Sequence, residues 1–482
     1  MNRNNIWIHI SIAVVIITLA AVLGQIRLWE NSLRASRTAS DSILKGGAPP
    51  PPRPARRVDS SEPEVLVHFK PGVSVSEIKR IAAGHNDLMK DEFEFVRGWT
   101  EIDDLDNADP EATAKQYAAM SDLVDYAEPN FRIELEPGEF DDYPAKDGVY
   151  RTNSGAPNDP LFNEQWSLNN VGQDGGKELA DIGALHAWVK TQGSEKIVVA
   201  VLDTGVDYTH KDLVANMWSR PDAVPEYTDN ELGTIDDAHG FDADADAGDP
   251  MDDNGHGTHC AGIIGGEGNN GIGIAGINWN VSIMPLKFLG RGGFGSTANA
   301  VKAINYAIDR KQHGVNLRVI NASWGSTSYS RALEDAIRAA GEQGILFVAA
   351  AGNSSSDNDK RAHYPSNFDL PNVISVAAVD RTDSLASFSN YGAKTVHIAA
   401  PGREIVSTWL GDAYREASGT SMAAPQVSGV AALILANEPN MTMPKLRERL
   451  LSTVDKAEGD TLRGKVASGG RLCAANALGL KD

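Results

Sequence analysis

Three short segments of this 482-residue chain carry side chains that could act together on a carbonyl group. Asp203 ends the run Val199-Ala200-Val201-Leu202-Asp203-Thr204-Gly205, a carboxylate at the close of a buried apolar strand. His256 stands among glycines in Asn254-Gly255-His256-Gly257-Thr258-His259-Cys260-Ala261-Gly262, ahead of a small-residue helix. Ser421 lies in Gly419-Thr420-Ser421-Met422-Ala423-Ala424-Pro425, where an apolar helix begins. A serine hydroxyl is a weak nucleophile until a neutral imidazole takes its proton. A buried carboxylate fixes the imidazole tautomer and stabilises the imidazolium that forms. A helix starting at the serine adds backbone N–H donors where an oxyanion develops. Ala350-Ala351-Gly352-Asn353 offers a side-chain amide as a second donor. Each piece is weak alone; the order Asp, His, Asn, Ser on one domain carries the signal.

These groups need a scaffold that delivers them to one edge. Strands are expected at 196–203, 281–288, 317–322, 345–350 and 373–379, with helices such as 296–310 and 329–343 between them. That alternation gives an α/β fold, a mostly parallel sheet flanked by helices, whose active residues gather at the carboxyl ends of the strands. Pro425 is expected near the first helical turn, where its missing N–H costs least. Upstream, 63–136 has a small α+β pattern: a strand at 65–69 stopped by Pro71-Gly72, helices at 76–83 and 110–123, the latter opening at Asp109, and extended chain at 124–130. By itself this module shows no chemistry.

Composition narrows the function classes. Lys plus Arg number 44 against 65 Asp plus Glu, a formal net charge of −21, which argues against nucleic acid or an anionic membrane surface as main partner. Two cysteines exclude a disulfide scaffold and a four-cysteine zinc site. The length suits two or three domains. The first 58 residues are basic, eight Lys and Arg against Glu30 and Asp41. Within 1–30, the apolar run 6–23 is a removed secretory signal or a retained membrane anchor, and either exports the rest. Residues 31–62 form a Pro/Arg-rich linker that includes GGAPPPPRPARR. Residues 137–157 are polar, acidic and punctuated by Gly and Pro, a junction exposed to proteolysis.

Over 158–482 these motifs resemble the subtilisin family of serine proteases. The resemblance implies a secreted or membrane-tethered endopeptidase, acting on protein or peptide substrates from an extracellular or periplasmic position. It makes Asp203 the orienting acid, His256 the general base and Ser421 the nucleophile, with Asn353 and the Ser421 N–H as oxyanion hole. His259 is read as packing, and Cys260 as a buried free thiol beneath the histidine, a bridge to Cys473 being the lesser alternative. The module 63–136, above all Tyr126-Ala127-Glu128-Pro129-Asn130, is similar to the inhibitory propeptide of the family. It would occupy the cleft until cut between Glu136 and Asn158, making the protein a zymogen inhibited by its own propeptide. Substrate would enter as an extended strand between Gly293-Phe294-Gly295 and Ser323-Trp324-Gly325. Its primary pocket would lie between that second wall and Ala350-Ala351-Gly352. Asp357 and Asp359 would favour a basic substrate side chain, hold a surface loop or bind a cation.

Structural calcium is implied twice. Asp159, Asp212 and Asn270, with the carbonyls of Gly268, Ile272 and Ile274, match the family's tight site, all hard oxygen ligands. Asp242, Asp244, Asp246, Asp249, Asp252 and Asp253 form an acidic ladder just before His256, where like charges repel unless a cation intervenes. The protein is expected to be a monomer. The competing reading, a tethered binding protein on the protease fold, is disfavoured by the unsubstituted catalytic positions. A processing and a degradative role both stay open.

Overall fold

The computed structural model describes residues 60–136, 139–142, 155–456 and 461–480. The expected leader or anchor at 1–30, all but the end of the linker at 31–62 and most of the junction at 137–157 lie outside the described residues. Among the described residues no helix is long and apolar enough to cross a membrane.

A seven-stranded parallel sheet dominates, in the order Ile398–Pro401, Val373–Val379, Leu346–Ala350, Leu317–Ala322, Gly193–Asp203, Asn280–Lys287, Phe241–Asp242. Its strands are continuous apolar runs because helices cover both faces. The two-residue period divides Gly193–Asp203 between two cores. Val199 and Val201 pack towards the helices His256–Gly265 and Thr420–Asn437. Val198, Ala200 and Leu202 pack towards Thr297–Gln312 and Arg331–Glu342. From Gly193–Asp203 the chain first builds the sheet on one side, through Asn280–Lys287, and later on the other, through Leu317–Ala322. Asp203 therefore ends a strand at the topological switch point, where α/β sheets open a crevice.

All five expected strands of this sheet form, within three residues at either end. The helix expected from 296 runs Thr297–Gln312, with the Ser296 side chain accepting from Asn299 N at 3.1 Å as its N-cap. Pro425 departs from expectation. It is the sixth residue of Thr420–Asn437, beyond the first turn, and cannot donate to the Ser421 carbonyl four residues back. That carbonyl instead accepts from Ser323 Oγ at 2.8 Å and contacts Cys260 Sγ at 3.5 Å.

The upstream module folds as four antiparallel strands, in the order Val124–Glu134, Ser60–Phe69, Trp99–Asp104, Asp87–Glu92. Two helices pack on one face, Val75–Gly84 capped by Ser74 and Pro110–Ala118 capped by Asp109. The other face shares a core with the large-sheet domain, burying Leu66, Phe93 and Trp99 against its helices. Two polar groups of the stretch 126–130 finish helices across this interface. Glu128 accepts from Ser330 Oγ, Arg331 N and Ala332 N at 2.6–3.1 Å, and Asn130 Oδ1 from Ala298 N at 2.9 Å. Both sit where helix N-termini leave N–H groups unpaired. A fifth strand of the module's sheet, Phe294–Ser296, comes from the large-sheet domain.

Candidate active site

Asp203 and His256 meet across the crevice. His256 Nδ1 lies 2.7 Å from Asp203 Oδ1, which also accepts from Thr204 N at 2.8 Å. Burial alone would pull the imidazole down, but the Asp203 carboxylate, by charge and hydrogen bond, raises it above its ordinary value. The helix bearing His256 is held by Asp252, whose carboxylate accepts from Asn254 N, Gly255 N, Thr258 N and Thr258 Oγ1 at 2.6–3.0 Å. His259, on the same helix, is buried with Nε2 3.1 Å from the Ile405 and Arg415 carbonyls, and burial pushes it down to about 3. It stays neutral and packs. Cys260 and Cys473 are both free and buried, so no bridge joins them.

Ser421 lies in the first turn of Thr420–Asn437, with its backbone N–H among those that have no intrahelical partner. Its hydroxyl donates to the Ser323 carbonyl at 2.9 Å. Asn353 stands beside it. Its Oδ1 accepts from Thr420 N at 2.8 Å and Thr420 Oγ1 at 2.9 Å, which fixes the amide's orientation and leaves Nδ2 as its donor end.

The expected cleft walls are occupied by the chain itself. Arg132, Ile133 and Glu134 pair antiparallel with Ser296, Gly295 and Phe294. Leu135 N donates to the Gly293 carbonyl at 2.9 Å, and Glu134 bridges to Gly325. The Phe294 ring lies 3.8 Å from the Arg132 guanidinium, whereas Trp324 turns into the core and donates Nε1 to the Leu202 carbonyl at 2.8 Å. Beyond the crevice, Glu139–Asp142 pairs antiparallel with Ala413–Ser418. Near Asn353, Gly352 N donates to Thr420 Oγ1 at 3.1 Å and Ser323 Oγ to the Ser421 carbonyl at 2.8 Å. Sequence reasoning missed a further residue there. His363 is buried against Gly325 and Gly352, where an added Cβ would come 2.0 and 3.1 Å from its ring atoms.

The two expected cation sites differ. Asp159 and Asp212 are buried, accept from Asn269 N and Ile274 N at 2.6 and 2.9 Å, and have no basic partner among the described residues. Burial pushes Asp159 up to about 6 and Asp212 up to about 7. Asn270 Nδ2 donates to Asp212 Oδ1 at 2.8 Å, and Ile272 N donates to Asn270 Oδ1 at 2.7 Å, which brings the loop from Gly268 to Ile274 onto the carboxylates. Two buried, uncompensated carboxylates beside an amide fit a hard cation.

The acidic ladder draws on protein donors as well. Asp242 accepts from Asp244 N and Ala245 N, Asp244 from Asn299 Nδ2, and Asp249 from Tyr208 OH. Asp246 pairs with Lys302 and Asp253 with Lys287, each at 2.7 Å. Lysines from the adjacent helix and strand relieve part of the repulsion. Asp357 and Asp359 are likewise spent on their own loop: Asp357 pairs with Lys360 at 2.7 Å, and Asp359 accepts from Thr395 N and Oγ1 at 3.0 and 2.8 Å. A role in drawing a basic substrate side chain is not supported.

Comparison with known proteins agrees with this architecture. The family model described as "Subtilase family" matches residues 194–469. The chain is 35% identical over 423 residues to the thermophilic serine proteinase of Bacillus sp. (strain AK1), covering 86% of this chain and 87% of that protein. It is 33% identical over 348 residues to the halolysin-like extracellular serine protease Nep of Natrialba magadii, covering 71% of this chain and 57% of the relative. Among solved structures, fervidolysin of Fervidobacterium pennivorans, described as a keratinolytic enzyme related to subtilisin, superposes with a TM-score of 0.67 at 26% identity. That match covers 88% of this chain and 62% of fervidolysin, so the chain spans less than two thirds of its length. A switch-point crevice on a subtilisin-like sheet, together with relatives that are serine proteinases along most of the chain, makes this protein a member of the subtilase family of serine proteases.

Proposed function

We propose that the chain is an exported endopeptidase made as a zymogen, cutting peptide bonds through an acyl-enzyme on Ser421. The Asp203–His256 contact at 2.7 Å, buried and at the sheet's switch point, carries this reading. For attack, the Ser421 hydroxyl presents its proton to His256 Nε2. The oxygen adds to the substrate carbonyl carbon while the proton passes to Nε2. The carbonyl oxygen becomes an oxyanion held by the Ser421 N–H and Asn353 Nδ2. On collapse the C–N bond breaks, His256 returns its proton to the departing amine, and the acyl group stays on Ser421. Water then repeats the sequence with His256 as base and frees the serine. Asp203 keeps Nδ1 protonated throughout and balances the imidazolium charge.

Residues 63–136 act as an inhibitory propeptide and 158–482 as the catalytic domain, with 137–157 cut during maturation. The pairing of Arg132, Ile133 and Glu134 along one cleft wall, with Glu134 bridging to the other, supports this. Strand addition is how an extended substrate would bind. Asp159, Asp212, Asn270 and the loop carbonyls hold structural calcium, which when bound neutralises the two buried carboxylates and pins that loop. The apolar run 6–23 and the extracellular designation of the Natrialba magadii relative support export.

The test is Ser421→Ala. The full chain should fold, stay uncut between Glu136 and Asn158, lose casein hydrolysis and no longer react with a fluorophosphonate. Normal maturation of the purified variant, with activity intact, would remove Ser421 as nucleophile.

A further inference from the structure

We infer that the primary pocket selects an acidic side chain, glutamate above all, through His363 and the Asn353 backbone N–H. The inference rests on the reading of Ser421 as nucleophile. It starts from the register of the chain segment in the cleft. Ile133 is paired with Gly295, Glu134 with Gly325, and Leu135 donates to Gly293, so the side chain entering the pocket next to Asn353 belongs to Glu136.

The Glu136 carboxylate is received by donors. Oε1 lies 3.2 Å from His363 Nε2, an ion-pair contact, while Oε2 accepts a short hydrogen bond from Asn353 N. The imidazole is walled in rather than loose. Its side chain is 6% exposed, and Gly325 and Gly352 leave room for it only because they have no Cβ. Its own segment is tied back, with His363 N donating to Asn367 Oδ1 at 3.2 Å and Ser366 Oγ donating to the His363 carbonyl at 2.7 Å.

The donor set discriminates between substrate classes. A carboxylate accepts from the backbone N–H of Asn353 and lies within ion-pair range of the imidazole, where it favours the charged ring. An apolar side chain would leave the Asn353 N–H unpaired and take the negative charge away from the imidazole. A lysine or arginine would bring a third donor to a site whose nearest loop carboxylates, Asp357 and Asp359, are engaged elsewhere. A histidine placed where only glycine neighbours can admit it thus converts a roomy pocket into a short, polar one.

The experiment uses the enzyme after it has processed itself and a set of quenched peptides identical except for Glu, Gln, Leu or Lys before the scissile bond. Glu should exceed Gln in kcat/KM by roughly 10–100-fold, the span of one charged hydrogen bond. His363→Gln should bring that ratio towards unity, with fluorophosphonate labelling of Ser421 retained as the check that the site is assembled. A wild-type preference for Leu or Lys over Glu, or a Glu-to-Gln ratio unchanged in His363→Gln, overturns the specificity while leaving the protease intact. Failure of the wild type both to cut any peptide and to label would instead overturn the protease reading beneath it.

Discussion

Thr420 does for Asn353 what Asp203 does for His256. Each anchors one polar end of its partner and leaves the other end, Asn353 Nδ2 or His256 Nε2, for the proposed chemistry. Positioned donors of this kind contribute most when charge appears in the transition state. Asn353→Ala is therefore expected to lower kcat by roughly 10²–10³ with little change in KM, a magnitude taken over from subtilisin itself. Steady-state kinetics on one peptide decide it, and a loss confined to KM would reassign Asn353 to ground-state binding. Asp203, His256, Asn353 and Ser421 were legible because each occupies a strand end or helix start that the apolar pattern marks. His363 was not. It sits in a polar loop without a motif, and its meaning depends on Gly325 and Gly352, distant in sequence, leaving the space it fills.

Among elements, the apolar strands of the large sheet announce themselves, whereas Asp87–Glu92 and Trp99–Asp104 do not. Their inward positions include Asp87, Asp91, Glu101 and Asp104, which break the alternation a half-buried strand should show. Pro425 misled for a related reason: the cost of a helix proline was met by Ser323 and Cys260, neither nearby in sequence. Asp91 has a measurable consequence. It is fully buried where the module meets the catalytic domain, and its carboxylate oxygens find no hydrogen-bond donor. Burial first, then the Asp229 carboxylate, push it up from 3.8 to about 8, against the pull of Lys302. A raised carboxylate favours the docked form below its ordinary value, and that advantage is lost as pH rises towards about 8. The limit is about 1.4 kcal/mol per pH unit. In the uncut Ser421→Ala chain, Asp91→Asn should flatten the fall of Tm between pH 5 and 8. Parallel Tm curves for the two chains would refute this.

At the scale of the whole molecule, the chain's acidity has more than one fate. In the ladder from Asp242 to Asp253, Lys287, Lys302 and backbone donors meet part of the charge, while Asp159 and Asp212 have no basic partner among the described residues. Composition could not separate the two, because the compensating lysines come from elements far along the chain. Excess EGTA should therefore lower Tm, by roughly 2–4 °C for each kcal/mol of lost binding. Asp212→Asn should lose most of that sensitivity, and an unchanged wild-type melting curve would remove the calcium site.

The segment 132–136 reaches its groove while still joined to the domain that owns it. Tethering of this kind corresponds to an effective molarity on the order of millimolar. Free peptides at micromolar levels cannot compete with such an occupant, so the uncut chain should be inert to dilute substrate however well its machinery is assembled. Once the tether is severed, the same segment becomes an ordinary ligand, and dilution alone then favours the working enzyme.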